Sequence, residues 1–316
     1  MRLYLLAAVL AGILLFSATT SASDGTVGGP QLAVGDTWTY HTNTTLGAGF
    51  RLDGDATIRV IGVGPVTVEG AIYDAVRMSV VGAGTAAGTF STQFGSTPAS
   101  GNWVLTGQEA LESAGLKVVS SVLDLEANGT LHTQPVPIQF QLSVQNTTTY
   151  RLRDDAWRFP LGIGNSTVVA SEMNFSEDFR LFYGFPTTPI RTAGRVWWNL
   201  TYALENQVAV DTPAGHFGAY RIRETYPGGT YSLLFYAPAT GNYARTETHN
   251  DTSEVATTEL TSYRYQALEA PRFLSLTTDQ WAITATVAAA GLVAVVWWLR
   301  GRRKPAPPQP GPPPAT

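Results

Sequence analysis

Three acidic pairs come closest to a reactive constellation in this chain. Asp53-Gly54-Asp55 has the spacing of a calcium-binding turn, and Asp154-Asp155 or Glu177-Asp178 could each supply part of a glycoside hydrolase carboxyl pair. Against these stands the plainer reading that Asp-Gly is an ordinary hairpin-turn dipeptide. Two carboxyls also become a hydrolase only when a cleft holds them about 5 to 10 Å apart. The histidines, His41, His132, His216 and His249, show no metal-ligand spacing and no His-Glu-x-x-His, and are expected on turns or strand surfaces. No Gly-x-Ser-x-Gly elbow is present. Gly82-Ala83-Gly84 with Gly88 lacks the following helix whose N-terminus would hold a phosphate, so it reads as a hairpin tip. Cysteine is absent, which removes cystine staples, thiolate metal sites and thiol nucleophiles together. The expectation is a chain with no enzymatic activity, no cofactor and no metal.

Aromatic residues offer a different chemistry. Trp38, Trp103, Trp197, Trp198, Phe217, Tyr220 and Tyr236 are the candidates for stacking on a sugar or touching a lipid. Strand alternation allows only one of Trp197 and Trp198 to point inward, so the other indole must face outward unless covered.

The elements that would position these side chains are strands. Apolar and β-branched runs at 195–202, 207–211, 217–225, 231–237, 243–248 and 255–265 are separated by Gly- and Pro-bearing turns, the pattern of a hairpin meander. Within 217–225, Tyr220 and Ile222 alternate with Arg221 and Arg223, which marks a strand with one wet face. The first half repeats the style at 36–40, 56–61, 72–81, 103–106, 116–122 and 137–144, and residues 108–114 form the one short helix candidate. Leu32-Ala33-Val34-Gly35-Asp36-Thr37 is echoed by Leu161-Gly162-Ile163-Gly164-Asn165-Ser166. In the same order, the run from Gly70 to Arg77 is echoed by the run from Gly215 to Arg221. The fold class expected is an all-β ectodomain of tandem antiparallel meander units, half-barrel or sandwich-like, over 24–158 and 159–267.

Both ends of the chain are apolar. Residues 3–16 follow Arg2 and precede a small polar run, as in a secretory signal peptide over 1–23. Residues 281–299 carry no charge, would span about 28 Å as a helix at roughly 1.5 Å per residue, and are followed by Arg300, Arg302, Arg303 and Lys304. This is the pattern of a stop-transfer helix with a cytoplasmic basic flank, preceded by a stalk at 268–280 and followed by a Pro-rich tail within 300–316. The placement expected is the plasma membrane, crossed once, with the β-rich body outside. The body and stalk together, 24–280, carry all 24 acidic residues but only 15 of the 20 basic ones, which disfavours nucleic acid as a partner. Seven asparagines, Asn43, Asn128, Asn146, Asn165, Asn174, Asn199 and Asn250, stand in Asn-x-Ser/Thr and predict a glycosylated surface.

Four segments are familiar together: Gly35-Asp36-Thr37-Trp38-Thr39-Tyr40, the run from Thr212 to Arg221, the run from Tyr236 to Arg245, and Leu260-Thr261-Ser262-Tyr263. They resemble a group of secreted or membrane-anchored β proteins of archaea and bacteria with a GDxWxY, PAGxFxxYR, YxPxxGxxxR, LxSY pattern. More loosely, the chain is similar to lipoprotein carriers of the LolA-like type. The resemblance implies a curved antiparallel half-barrel whose concave, apolar face holds acyl chains, and it carries no catalytic residue. The function expected is thus a cell-surface binding module, for an amphiphile, a lipid or a glycan. A structural or adhesive role in a glycoprotein envelope is the alternative, and an envelope hydrolase the third. A continuous aromatic-lined pocket of about 300 Å³ or more would favour the first.

Overall fold

A computed structural model describes residues 25–46, 50–92, 95–185, 187–250 and 253–266. The signal peptide, stalk, transmembrane helix and basic tail expected from the sequence lie outside these residues. Among the described residues no helix is long and apolar enough to cross a membrane.

The described chain is all strand and turn. In order these are β1 (Thr26–Val27), β2 (Thr37–Leu46), β3 (Phe50–Val68), β4 (Ala71–Thr92), β5 (Gly95–Glu112), β6 (Val118–Leu131) and β7 (Ile138–Asp154). There follow β8 (Leu161–Gly162), β9 (Ser166–Tyr183), β10 (Ile190–Thr212), β11 (Gly215–Thr225), β12 (Tyr231–Ala237), β13 (Asn242–Asn250) and β14 (Ser253–Arg264). Twelve of them form one closed antiparallel barrel in which each pairs with its successor, β7 passes directly to β9, and β14 returns to β2. β1 and β8 make a separate two-stranded ladder. Closure leaves no unpaired edge along the barrel wall, which removes the usual route to edge-to-edge aggregation. The two sequence units therefore build one continuous sheet.

Alternation decides what the wall presents. On β6, Val119, Ser121, Leu123, Leu125 and Ala127 are buried while Val122, Glu126 and Asn128 are exposed. Twelve strands in a round barrel would enclose more space than side chains can fill. Side chains from strands that are not neighbours meet inside this one. Phe50 of β3 meets Phe140 of β7 edge-on at 6.2 Å, and the Tyr40 hydroxyl of β2 donates to the Tyr243 carbonyl of β13 at 3.1 Å.

The glycine-rich stretch expected at a hairpin tip lies instead within β4, and Asp53-Gly54-Asp55 lies within β3 rather than on a turn. Gly54, Gly84 and Trp103 stand side by side on three adjacent strands. A Cβ on Gly84 would sit 2.1 Å from the Asp53 carbonyl oxygen and 2.8 Å from the Trp103 ring nitrogen. The glycines thus form a bed for the indole, whose Nε1 donates to the Asp53 carbonyl at 3.3 Å. Gly84→Ala is expected to destabilise the barrel by about 1–3 kcal/mol, the usual effect of overpacking, seen as a lower urea midpoint. The helix candidate at 108–114 is likewise corrected: residues up to Glu112 belong to β5, where Glu109 and Leu111 point inward. Pairing with β4 and β6 overrides a helix-favouring local composition.

Each sequence echo falls at a matching place in the barrel. At the start of β2, Gly35 N donates to Val60 O and Val60 N to Asp36 O, both at 2.9 Å. At the start of β9, Gly164 N donates to Leu204 O at 2.8 Å and Leu204 N to Asn165 O at 2.9 Å. A bulge follows in each half, at Val60/Gly62 on β3 and Leu204/Asn206 on β10. The next hairpins pair Val68 with Ala71 and Thr212 with Gly215, and second bulges sit at Ala110/Leu111 and Phe235/Tyr236.

Candidate functional site

The barrel interior holds a polar network that begins on β11. Tyr220, Ile222 and Glu224 share one strand face, and all three are buried. The Glu224 carboxylate accepts the Tyr202 hydroxyl at 2.6 Å and the Tyr226 hydroxyl at 2.7 Å. The Tyr226 hydroxyl also lies 3.3 Å from the Ser232 hydroxyl, which is 3.0 Å from that of Thr248. Burial raises the Glu224 carboxyl above its ordinary range, while the two tyrosine hydrogen bonds oppose that rise. Both tyrosines are in turn raised, first by burial and then by the neighbouring carboxylate.

A second interior acid comes from β5. Glu109 is buried, accepts the Ser121 hydroxyl at 2.7 Å, and has no partner for Oε2 among the described residues. Burial pushes its carboxyl up to about 8, because the low-dielectric interior disfavours the ion and one hydroxyl cannot offset that. Tyr150 of β7 is raised by burial and by the charges of Glu109 and Glu224, so the three groups sense one another.

Between β7, β9 and β10 lies a cavity of about 70 Å³. Glu177, Asn146, Tyr150, Tyr202 and Glu224 line it, with the partly exposed Phe175 and Trp198 on its border. Glu177 is 7% exposed, burial raises its carboxyl, and Oε1 has no partner among the described residues. Lys117 also contributes to the wall, but its ammonium is committed: Glu112 Oε2 lies at 3.0 Å, Asp155 Oδ1 at 2.7 Å and the Trp157 carbonyl at 2.7 Å.

The seven candidate aromatics do not converge. Trp198 borders the cavity, whereas Trp197 on the other face of β10 is 65% exposed. Trp38 is fully buried and donates to the Thr240 carbonyl at 2.8 Å, and Trp103 lies on its glycine bed. Phe217, Tyr220 and Tyr236 are core residues.

The acidic pairs do not converge on one cleft either. Glu177 points inward while Asp178 points outward to Arg180 at 2.8 Å and Arg191 at 3.1 Å, which hold its carboxyl below the usual range. Asp155 turns to Lys117, and Asp53 and Asp55 flank His41 on the outer wall at 3.7 and 3.0 Å. His216 pairs with Asp211 at 2.6 Å and His132 lies 2.8 Å from the Ser100 hydroxyl. His249, stacked on Tyr231, shares a surface cluster with Glu247 and Glu254 whose ligand atoms lie within 4.8 Å of one another.

Of the seven sequon asparagines, Asn43, Asn128, Asn165, Asn174, Asn199 and Asn250 are exposed or half-buried. Asn146 departs from the expected surface position. It faces the cavity, is 9% exposed and accepts the Thr148 hydroxyl at 2.8 Å.

Sequence reasoning passed over Glu109 and Glu224, and it named Glu177 only as half of an acidic pair with Asp178. Strand parity could have found them, since each continues a face set by apolar neighbours two residues away, as Glu224 continues Tyr220 and Ile222.

No protein-family model matches this chain, and no curated protein matches it. Among solved structures, an exported protein with a YmcC-like fold from Bacteroides fragilis aligns at 13% identity and a TM-score of 0.27, covering 75% of this chain and 99% of its own.

Proposed function

We propose that this chain is an exported, membrane-tethered structural protein of the cell envelope, whose closed barrel is a rigid scaffold rather than a carrier. The observation that supports this reading is the filled interior. A carrier of acyl chains needs a continuous pocket of about 300 Å³ or more, whereas the cavity between β7, β9 and β10 is about 70 Å³, and its apolar wall is interrupted by Glu177, Glu224, Tyr150 and Tyr202. The matching hydrogen bonds, bulges and hairpins of the two halves support a duplicated six-strand unit, which is a route to a large closed wall without an open groove. The acidic outer charge and the outward asparagines suit a hydrated, glycan-bearing surface. Tethering rests on the uncharged stretch at 281–299 with its basic flank.

Antibody labelling of intact cells combined with glycopeptide mapping tests this. The barrel should be labelled without permeabilisation, with glycans on outward asparagines and none on Asn146. Labelling that requires permeabilised cells, or a glycan on Asn146, would contradict the reading.

A further inference from the structure

The cavity wall holds one buried acceptor with no partner among the described residues. Its hydroxyl protons are largely committed: Thr148 donates to Asn146 Oδ1, Ser171 to the Trp198 carbonyl, and Tyr202 and Tyr226 to Glu224. The Lys117 ammonium donates to the Trp157 carbonyl and pairs with the carboxylates of Glu112 and Asp155. The unpartnered acceptor is Glu177 Oε1, on a side chain that is 7% exposed. Such a buried, unpaired carboxylate oxygen is costly in itself and calls for a partner.

Size and wall chemistry narrow that partner. On the measure by which one water needs about 10–15 Å³, a space of about 70 Å³ takes roughly five water-sized groups, room for a short aminoalkyl end but not for a long chain. Trp198 and Phe175 place aromatic rings at its border and Met173 an apolar side chain in its wall, surfaces suited to a short alkyl stem and to a cation over a ring face. An anion would meet the carboxylates of Glu177 and Glu224 and a lysine already paired with two carboxylates.

We propose that this cavity is a binding site for a small primary alkylammonium group, held by Glu177 and bordered by Trp198 and Phe175. The group is either a free short-chain amine or the aminoalkyl end of a longer molecule entering past the two rings. The site is independent of the scaffold reading, and its failure would leave that reading intact.

Isothermal titration of the full-length protein with ethylammonium, with ethanol as the uncharged control, tests the assignment. Saturable one-to-one binding of ethylammonium and none of ethanol is expected. Nα-acetyl-lysine amide separates the two sources: binding it as well identifies the aminoalkyl end of a longer molecule, and refusal of it a free amine. Glu177→Gln should weaken ethylammonium binding at least about tenfold, the loss expected for a charge-assisted hydrogen bond. The ethanol comparison needs no variant and stands even if that substitution disturbs folding. Absence of saturable ethylammonium binding, equal binding of ethanol, or undiminished binding by a folded Glu177→Gln would overturn the proposal and leave a cavity that holds only water.

Discussion

Glu109→Gln is expected to stabilise the protein by on the order of 5 kcal/mol at about pH 9 and to change it by no more than about 1 kcal/mol at about pH 4. The cause is the gap between the ordinary glutamate value of 4.5 and the value of about 8 inside the barrel. Below the lower value both folded and unfolded chains hold the proton, and the acid carries no charge into the interior. Between the two values the unfolded chain releases the proton while the folded chain keeps it, so stability falls by about 1.4 kcal/mol for each pH unit. Above the upper value the loss is complete. Glutamine never ionises, so the variant lacks this downward slope. Urea midpoints followed across this range check the point, and parallel curves for wild type and variant would refute it.

Lys117→Met should destabilise the barrel by about 3–5 kcal/mol, because it strands two partly buried carboxylates that now share one ammonium. Glu112 is also anchored by the amides of Ala114 and Gly115, each at 2.9 Å, and cannot turn away to solvent without losing them. The lysine further ties the turn after β5 to Trp157, whose ring stacks on Tyr202 of β10 at 5.2 Å. Asp155→Asn added to the lysine variant should therefore recover part of the lost stability, although alone it removes an ion pair. A double-mutant cycle with a coupling below about 0.5 kcal/mol would mean that the pair is not interacting as described.

Local strand character was legible in the sequence because alternation is a local property. Tyr220 and Ile222 read correctly as inward against Arg221 and Arg223, and the segment 217–225 lies within β11. Closure was not legible. It rests on the pairing of β14 with β2, whose partners lie more than two hundred residues apart, as Thr258 and Thr42 do. Gly82-Ala83-Gly84 misled for a related reason: glycine signals a turn unless a large side chain from a neighbouring strand needs the space, and Trp103 is distant in sequence. The echo between the halves was visible as short similarities, yet its force comes from shared bulges and hydrogen bonds that only pairing reveals. At the site, aromatic residues drew attention because they are rare and large. Glu109 and Glu224 went unnoticed because a lone glutamate in a strand ordinarily faces water. Trp197 and Trp198 show the limit well: parity required one indole outside, and only the barrel decides that Trp198 turns inward.

Native mass spectrometry of the detergent-extracted protein tests the central claim most directly. A scaffold with a filled interior should fly as polypeptide plus attached glycans, with no lipid retained once detergent is stripped, whether or not a small amine is bound. A lipid retained at one copy per chain, surviving detergent exchange, would contradict the account and mark the barrel as a carrier.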